Sequence, residues 1–170
     1  FNIKLPQNFD SPYKARSIIN FWQRWHITLS NFLMNCLYFP WIKSLKKTNF
    51  LNAMIVTFFV FIIAGIWHGP SWLFVIFGAL HGIGIIINHS FKKLFQFKIN
   101  KYVSCFLTFN YINLTFIFFR SESLDNAINI IRGMLGFNGY NFSSFTEDKM
   151  YIILILLISM LISFFNKNTN

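Results

Sequence analysis

Gly65-Ile66-Trp67-His68-Gly69-Pro70-Ser71-Trp72 is the stretch whose reading decides the fold, because it interrupts a run, residues 48–91, that contains no Asp, Glu, Lys or Arg. About 20 apolar residues already span a bilayer as a helix, so a run of this length crosses and returns. His68 sits in its middle. An ionisable side chain in that setting is costly unless it is paired or faces a polar cavity, which makes it a functional candidate. Gly69 and Pro70 follow at once, and Pro both removes a backbone donor and clashes with the preceding turn. Backbone broken at membrane depth is tolerated only where protein or water satisfies the freed groups. The stretch therefore predicts two apolar helices parted at a polar pocket.

Outward from this break, residues 50–67 and 71–88 read as the two crossings. In the second, Gly78 and Gly82 lie four apart and leave one helix face bare enough for a neighbour to approach closely, with His81 beside that face. Lys43, Lys46 and Lys47 precede the first crossing, and Lys92, Lys93, Lys98 and Lys101 follow the second. Two crossings return the chain to its starting side, so both lysine groups agree with the excess of positive charge found in cytoplasmic loops.

The composition sets the same class. Of 170 residues, 55% are hydrophobic, 21% aromatic and only 12% charged, too little polar surface to cover a soluble domain. The net charge of +10 would suggest nucleic acid in a soluble protein, but here the basic residues fall in short connections between apolar runs, so no nucleic-acid partner is expected. Cys36 and Cys105 both lie in apolar surroundings and have no second ligand at metal spacing, so neither a disulfide framework nor a metal site is expected. The chain begins at Phe1 without a cleavable signal sequence, and residues 1–170 are expected to be the C-terminal portion of one multi-span domain whose N-terminal spans are missing.

Residues 1–11 are polar and irregular and end in Ser11-Pro12, a helix-start signal. A helix is expected from there to about Tyr38, stopped by Pro40. Ile18, Phe21, Trp22, Trp25, Leu29 and Leu33 fall on one face and Asn20, Arg24, Thr28, Asn31 and Asn35 on the other, with His26 on the flank. Such a helix either lies at the membrane interface or turns its polar face to a cavity. Residues 41–49 read as a loop, residues 102–119 as a third crossing and residues 121–135 as an amphipathic helix closed by Gly136. A polar stretch, 136–149, leads to a fourth crossing over residues 150–165, and the tail with Lys167 would again be cytoplasmic.

Each of the four histidines has a plain structural reading. His89 suits interfacial anchoring, His81 a hydrogen bond across a helix pair, and His26 an ordinary interior position. At His68 depth, a helix break and flanking tryptophans coincide. Burial disfavours imidazolium, so a neutral ring there can serve as general base to a hydroxyl. Metal binding is disfavoured, because the path from His68 to His81 crosses the Pro break and neither crossing holds a carboxylate.

Four motifs in order carry a resemblance: Phe21-Trp22-Gln23-Arg24-Trp25-His26-Ile27-Thr28-Leu29-Ser30, then Leu37-Tyr38-Phe39-Pro40, then Gly65-Ile66-Trp67-His68-Gly69, then Gly78-Ala79-Leu80-His81-Gly82. They resemble the membrane-bound O-acyltransferase family, and more narrowly its bacterial alginate and peptidoglycan O-acetyltransferases and the D-alanyl transfer protein for teichoic acids. Phe118-Phe119-Arg120 with the helix up to Gly136 is similar to the alginate type. The resemblance covers most of residues 9–139. Where the family commonly has a charged pair before its Tyr-Leu-Tyr-Ile-Pro, this chain has Met34-Asn35-Cys36, and Trp41-Ile42-Lys43 replaces an expected Gly-Gly turn. Loop geometry and acceptor choice are what these departures touch.

The resemblance implies an all-α, polytopic transmembrane helix bundle around a funnel, with interfacial or re-entrant amphipathic helices. It implies a multi-pass protein of a bacterial cytoplasmic membrane with no bound cofactor, moving an acyl group, usually acetyl, from a thioester donor such as acetyl-CoA toward hydroxyls of an envelope polysaccharide. A periplasmic or extracellular acyltransferase partner completes the transfer. The family's essential histidine maps onto His68 and a second one onto His26. Trp22, Trp25, Trp67 and His81 are expected along the tunnel, with Arg24 toward the donor's phosphates. Other readings stay open: D-alanyl or other acyl transfer to teichoic acid, or a membrane transport or scaffold protein that makes no bond.

Overall fold

The computed structural model describes residues 5–95, 99–139 and 147–165, and within them every regular element is helical. Two long helices form the frame. The first, α4 (Phe50–Trp67), starts at Asn49, whose side chain accepts the Asn52 N–H at 2.8 Å. The second, α5 (Trp72–Leu94), starts at Ser71, whose hydroxyl accepts the Leu73 N–H at 3.3 Å. At about 1.5 Å per residue they run about 27 and 35 Å, and each is long and apolar enough to cross a membrane. Lipid cannot drive two apolar helices together, so their association rests on close packing. Gly65 and Gly78 supply it: a Cβ on Gly65 would collide with the Phe74 carbonyl oxygen and one on Gly78 with that of Phe61. Gly82 faces Phe58 in the same seam, as the spacing of the two α5 glycines predicts. At the opposite end of the hairpin, Lys93 Nζ lies 4.3 Å from the Phe50 ring centroid, which ties the lysine-bearing ends together.

A third membrane-length helix, α6 (Lys101–Arg120), packs on α5, and the Tyr111 hydroxyl donates to the Leu80 carbonyl at 2.6 Å. It is followed by α7 (Leu124–Met134), capped by Ser123 and burying Ala127, and by α8 (Glu147–Phe165). The fourth expected crossing corresponds to α8, whose apolar stretch Met150–Phe165 is shorter than the other three. Its described side chains are largely exposed. Of the polar stretch 136–149, residues 140–146 lie outside the described residues.

The segment before the hairpin differs from the single amphipathic helix expected over residues 12–38. It is broken into a 3-10 turn at Pro12–Lys14, α1 (Ile18–Trp22) and α2 (Ile27–Phe32), which passes through a π-helical stretch, Leu33–Tyr38, into α3 (Phe39–Ser44). Pro40 does not stop the helix. The preceding turn widens, with the Phe39 N–H reaching Met34 O five residues back, and Pro then enters at the start of a fresh α turn, where it is best tolerated. Residues 41–44, expected as loop, are consequently helical. Two buried clusters weld these pieces to the frame: Ala15, Ile18 and Phe21 with Ile85 and Ile112, and Leu33 with Val56, Val60 and Ala64.

Candidate active site

The break between α4 and α5 is built by its sequence. The His68 N–H reaches back only to Gly65 O at 3.1 Å and the Gly69 N–H to Ile66 O at 3.2 Å, a tightened last turn that ends α4. Gly69 then takes φ 153°, a conformation side chains resist, and a Cβ there would lie 2.9 Å from the Phe74 ring. The turn sets the half-buried His68 imidazole among aromatic rings: Phe119 at 5.0 Å between centroids, Trp67 at 5.1 Å, Phe77 at 6.0 Å and Phe74 at 6.1 Å. Among the described residues no side chain hydrogen-bonds to either ring nitrogen. Desolvation, and after it the charge of His26, hold the His68 pKa below the ordinary histidine value. A ring that is neutral, accessible and unengaged can take a proton from a hydroxyl.

His26 stands at the corner between α1 and α2 in the left-handed conformation, φ 46° and ψ 55°, which costs a non-glycine residue about 1–3 kcal/mol and marks a position held for a reason. The restraint is an extended segment laid across the corner. The Asp10 N–H donates to Arg24 O at 2.8 Å and the Ile27 N–H to Asn8 O at 2.9 Å, while the Asn8 side-chain oxygen meets His26 Nδ1 at 3.2 Å. Phe9, between them, packs on both Trp25 (5.0 Å) and His26 (6.2 Å). Trp25 in turn touches Phe116, which neighbours Phe119 beside His68, so aromatic rings run continuously from one histidine to the other.

His81 is placed differently. It is wholly buried (0% exposed), and both its nitrogens are used: Nδ1 accepts the Trp22 indole N–H at 3.1 Å, and Nε2 lies 3.1 Å from the Thr115 hydroxyl. That hydroxyl donates to Ile112 O at 2.7 Å, so Nε2 carries the proton and donates to Thr115. One neutral imidazole thus joins α1, α5 and α6. Trp22 is held by this bond and by the Phe61 ring at 5.0 Å, and its carbonyl accepts the Ser30 hydroxyl at 2.9 Å.

On the other side of Trp22 a cavity of about 600 Å³ runs along α4 from Phe50 to Phe61, with Gln23, Asn31, Thr57 and His89 on its wall. It opens the lysine-bearing half of the hairpin, whereas His68 stands at the far end; neither His68 nor His26 lines it. Arg24 is engaged within the chain, donating to Asp10 O at 3.0 Å, to Asp10 Oδ2 at 3.4 Å and to Asn20 Oδ1 at 3.2 Å. Trp67 is 68% exposed beside His68. Among the described residues no three of His, Cys, Asp and Glu gather as a metal site. Two residues that the motifs did not single out matter here. Thr115 had one faint sign, a hydroxyl within an apolar crossing; Asn8 had none, because it lies in an irregular stretch without periodicity.

With this geometry in place, the comparisons with known proteins are specific. The profile of MBOAT, the membrane-bound O-acyltransferase family, matches residues 1–124. A peptidoglycan O-acetyltransferase of Helicobacter pylori is 42% identical over 151 residues, which is 87% of this chain and 28% of the relative. A probable alginate O-acetylase AlgI of Azotobacter vinelandii is 30% identical over 146 residues, 85% of this chain and 28% of that protein. A teichoic acid D-alanyltransferase of Streptococcus thermophilus is 31% identical over 138 residues, 69% of this chain and 33% of that protein. The chain spans about a third or less of the length of these relatives. The matched region holds the break at His68, the corner at His26 and the His81 junction together, and by it the chain belongs to the membrane-bound O-acyltransferase family.

Proposed function

We propose that the full-length protein is an O-acetyltransferase of the bacterial cytoplasmic membrane and that this chain supplies its histidine-bearing centre. The acetyl group comes from a cytoplasmic thioester such as acetyl-CoA and goes to hydroxyls of an envelope polysaccharide, peptidoglycan or an alginate-like polymer. The observation that carries the reading is His68: an imidazole at a helix break, walled by four aromatic rings, with both nitrogens unengaged among the described residues while the other deep histidine, His81, is fully bonded. His68 takes the proton of the accepting hydroxyl as its oxygen attacks the thioester carbonyl. The C–S bond breaks, and the proton leaves with the thiol. A hydroxyl on a periplasmic partner protein serves as acceptor in the same way when transfer proceeds in two stages.

The cavity in the lysine-bearing half supports a donor path from the cytoplasmic side with Trp22 on its wall, while Trp25 and Trp67 lie outside it, on the aromatic rings that lead to and flank His68. His26 is the second polar group of the centre. Arg24 as a contact for donor phosphates is the weaker assignment, since its donors already meet Asp10 and Asn20. D-alanyl transfer to teichoic acid is the second reading, favoured by the match to the Streptococcus thermophilus protein. The two are separated by the mass of the ester-linked group released from envelope polymers of cells carrying full-length wild type or His68→Ala. Acetate lost in the variant supports the first reading, and D-alanine lost supports the second.

A further inference from the structure

For His26 the structure states which ring nitrogen is free. Asn8 Oδ1 accepts the Thr28 backbone N–H at 3.1 Å and the Thr28 hydroxyl at 2.9 Å. A backbone N–H can only donate, so the Asn8 atom at this point is the carbonyl oxygen and not the amide nitrogen. The same oxygen lies 3.2 Å from His26 Nδ1. An amide oxygen can only accept, so Nδ1 of the neutral ring carries the proton and the lone pair sits on Nε2. Among the described residues nothing hydrogen-bonds to Nε2.

We propose that Asn8 is a positioning residue for the acyl transfer: it holds His26 as the Nδ1–H tautomer in its left-handed corner, so that Nε2 is presented to accept a hydrogen bond from a substrate hydroxyl. The inference rests on the acyltransferase reading above and adds to it the residue that prepares the second histidine. The design is economical in bonds. One oxygen pins the ring, the backbone of the next helix and its first hydroxyl, while the Asn8 carbonyl takes the Ile27 N–H. Ring orientation, tautomer and the entry angle of α2 are therefore set together. The ionisable groups around the corner are His68, coupled to His26 through charge, and the Arg24–Asp10 ion pair on the two crossing segments.

The test uses the full-length protein in membranes, with acyl transfer followed against pH for Asn8→Leu and Asn8→Asp. Asn8→Leu frees the ring and should lose about 10–100-fold in rate at an unchanged protein level, the scale seen when the partner that orients a metal-bound histidine is removed. In Asn8→Asp a carboxylate accepts the same three bonds. Activity should stay within about tenfold of wild type above neutral pH, with the acid limb moved up by about one pH unit, because the negative charge favours imidazolium. A wild-type rate in Asn8→Leu, or an unmoved pH profile in Asn8→Asp, overturns the proposal. If either variant fails to accumulate, the decision falls to the nitrogen-15 spectrum of histidine-labelled wild type, assigned with His26→Gln. A protonated Nδ1 and bare Nε2 support the proposal, and a protonated Nε2 refutes it. The reading beneath is judged separately: if His68→Ala transfers normally, the acyltransferase assignment fails while the spectrum still decides the tautomer.

Discussion

Replacing His81 separates a structural histidine from a chemical one, and the expected size of the effect follows from its two bonds. In His81→Leu the Trp22 indole N–H loses its acceptor, and an unsatisfied buried donor costs about 1–3 kcal/mol. Thr115 keeps its bond to Ile112 O and loses only the bond it receives from Nε2, which is worth less. Hydrogen bonds between membrane helices average about 0.6 kcal/mol and reach about 1.7 in coupling measurements, so with the second bond the sum is about 2–4 kcal/mol. His81→Gln is the informative partner, because its amide offers an acceptor for Trp22 and a donor for Thr115 on the two atoms flanking one carbon, as the imidazole does. It should recover most of the stability and keep acyl transfer within about tenfold. The assay is detergent-driven unfolding of the purified full-length protein, with Trp22→Phe added to complete a double-mutant cycle whose coupling should be about 1 kcal/mol. If His81→Gln is as damaging to stability as His81→Leu, or if the coupling is zero, the three-helix junction is not what holds α1 in place. Should His81→Gln be stable but inert, His81 takes part in the chemistry.

Further outcomes follow from the same geometry. Gly78→Leu should force α4 and α5 apart at the Phe61 carbonyl and leave little folded protein in the membrane, whereas Gly133→Ala, a helical position where a Cβ would meet only the Asn138 side chain at 3.5 Å, should accumulate normally; equal yields would dismiss the close seam. Gly69→Ala meets both an unfavourable φ of 153° and the Phe74 ring, and should lower stability by about 1–3 kcal/mol and displace His68, read as reduced transfer. A base must be neutral to act, and a histidine is neutral above its pKa. Because the His68 pKa is lowered from 6.5, transfer should hold from pH 8 to neutrality and fall only below that value; a fall already complete at neutral pH would contradict it. If Arg24 clamps the extended segment, Arg24→Ala should loosen it and lower stability more than Asp10→Asn, which keeps the bond to the Asp10 backbone carbonyl, while a rise in donor KM in Arg24→Ala at unchanged stability would assign it to donor phosphates.

The hairpin was legible because its signals are local. A charge-free run and a Gly-Pro break set bounds that agree with α4 to the residue and with the start of α5 to within one, while α5 continues past the expected end at residue 88, through the first lysines, to Leu94. Gly78 and Gly82 were legible for the same reason, since a missing side chain four residues from another marks a helix face, whereas Gly65 on α4 had no such partner in its own helix. The corner at His26 was not. Residues 23–26 hold no Gly or Pro, and amphipathic periodicity runs straight through them; the break comes from a segment more than a dozen residues earlier, which the crossing bonds of Asn8 and Asp10 lay over it. Pro40 misled in the opposite sense, because a π turn lets a helix absorb a proline that would end an ideal α ladder. For the site, the motifs singled out His26, His68 and His81, but the bonding state of each ring did not follow from the motifs. Which nitrogen is free depends on Asn8, Trp22 and Thr115, partners set by tertiary packing.

The most direct measurement is the ester-linked acetate released from envelope polymers of cells whose full-length protein is wild type or His68→Ala, with protein abundance in the membrane measured alongside. The account predicts that the variant accumulates normally and that one polymer loses its acetate. Wild-type acetylation at normal abundance in His68→Ala would contradict it.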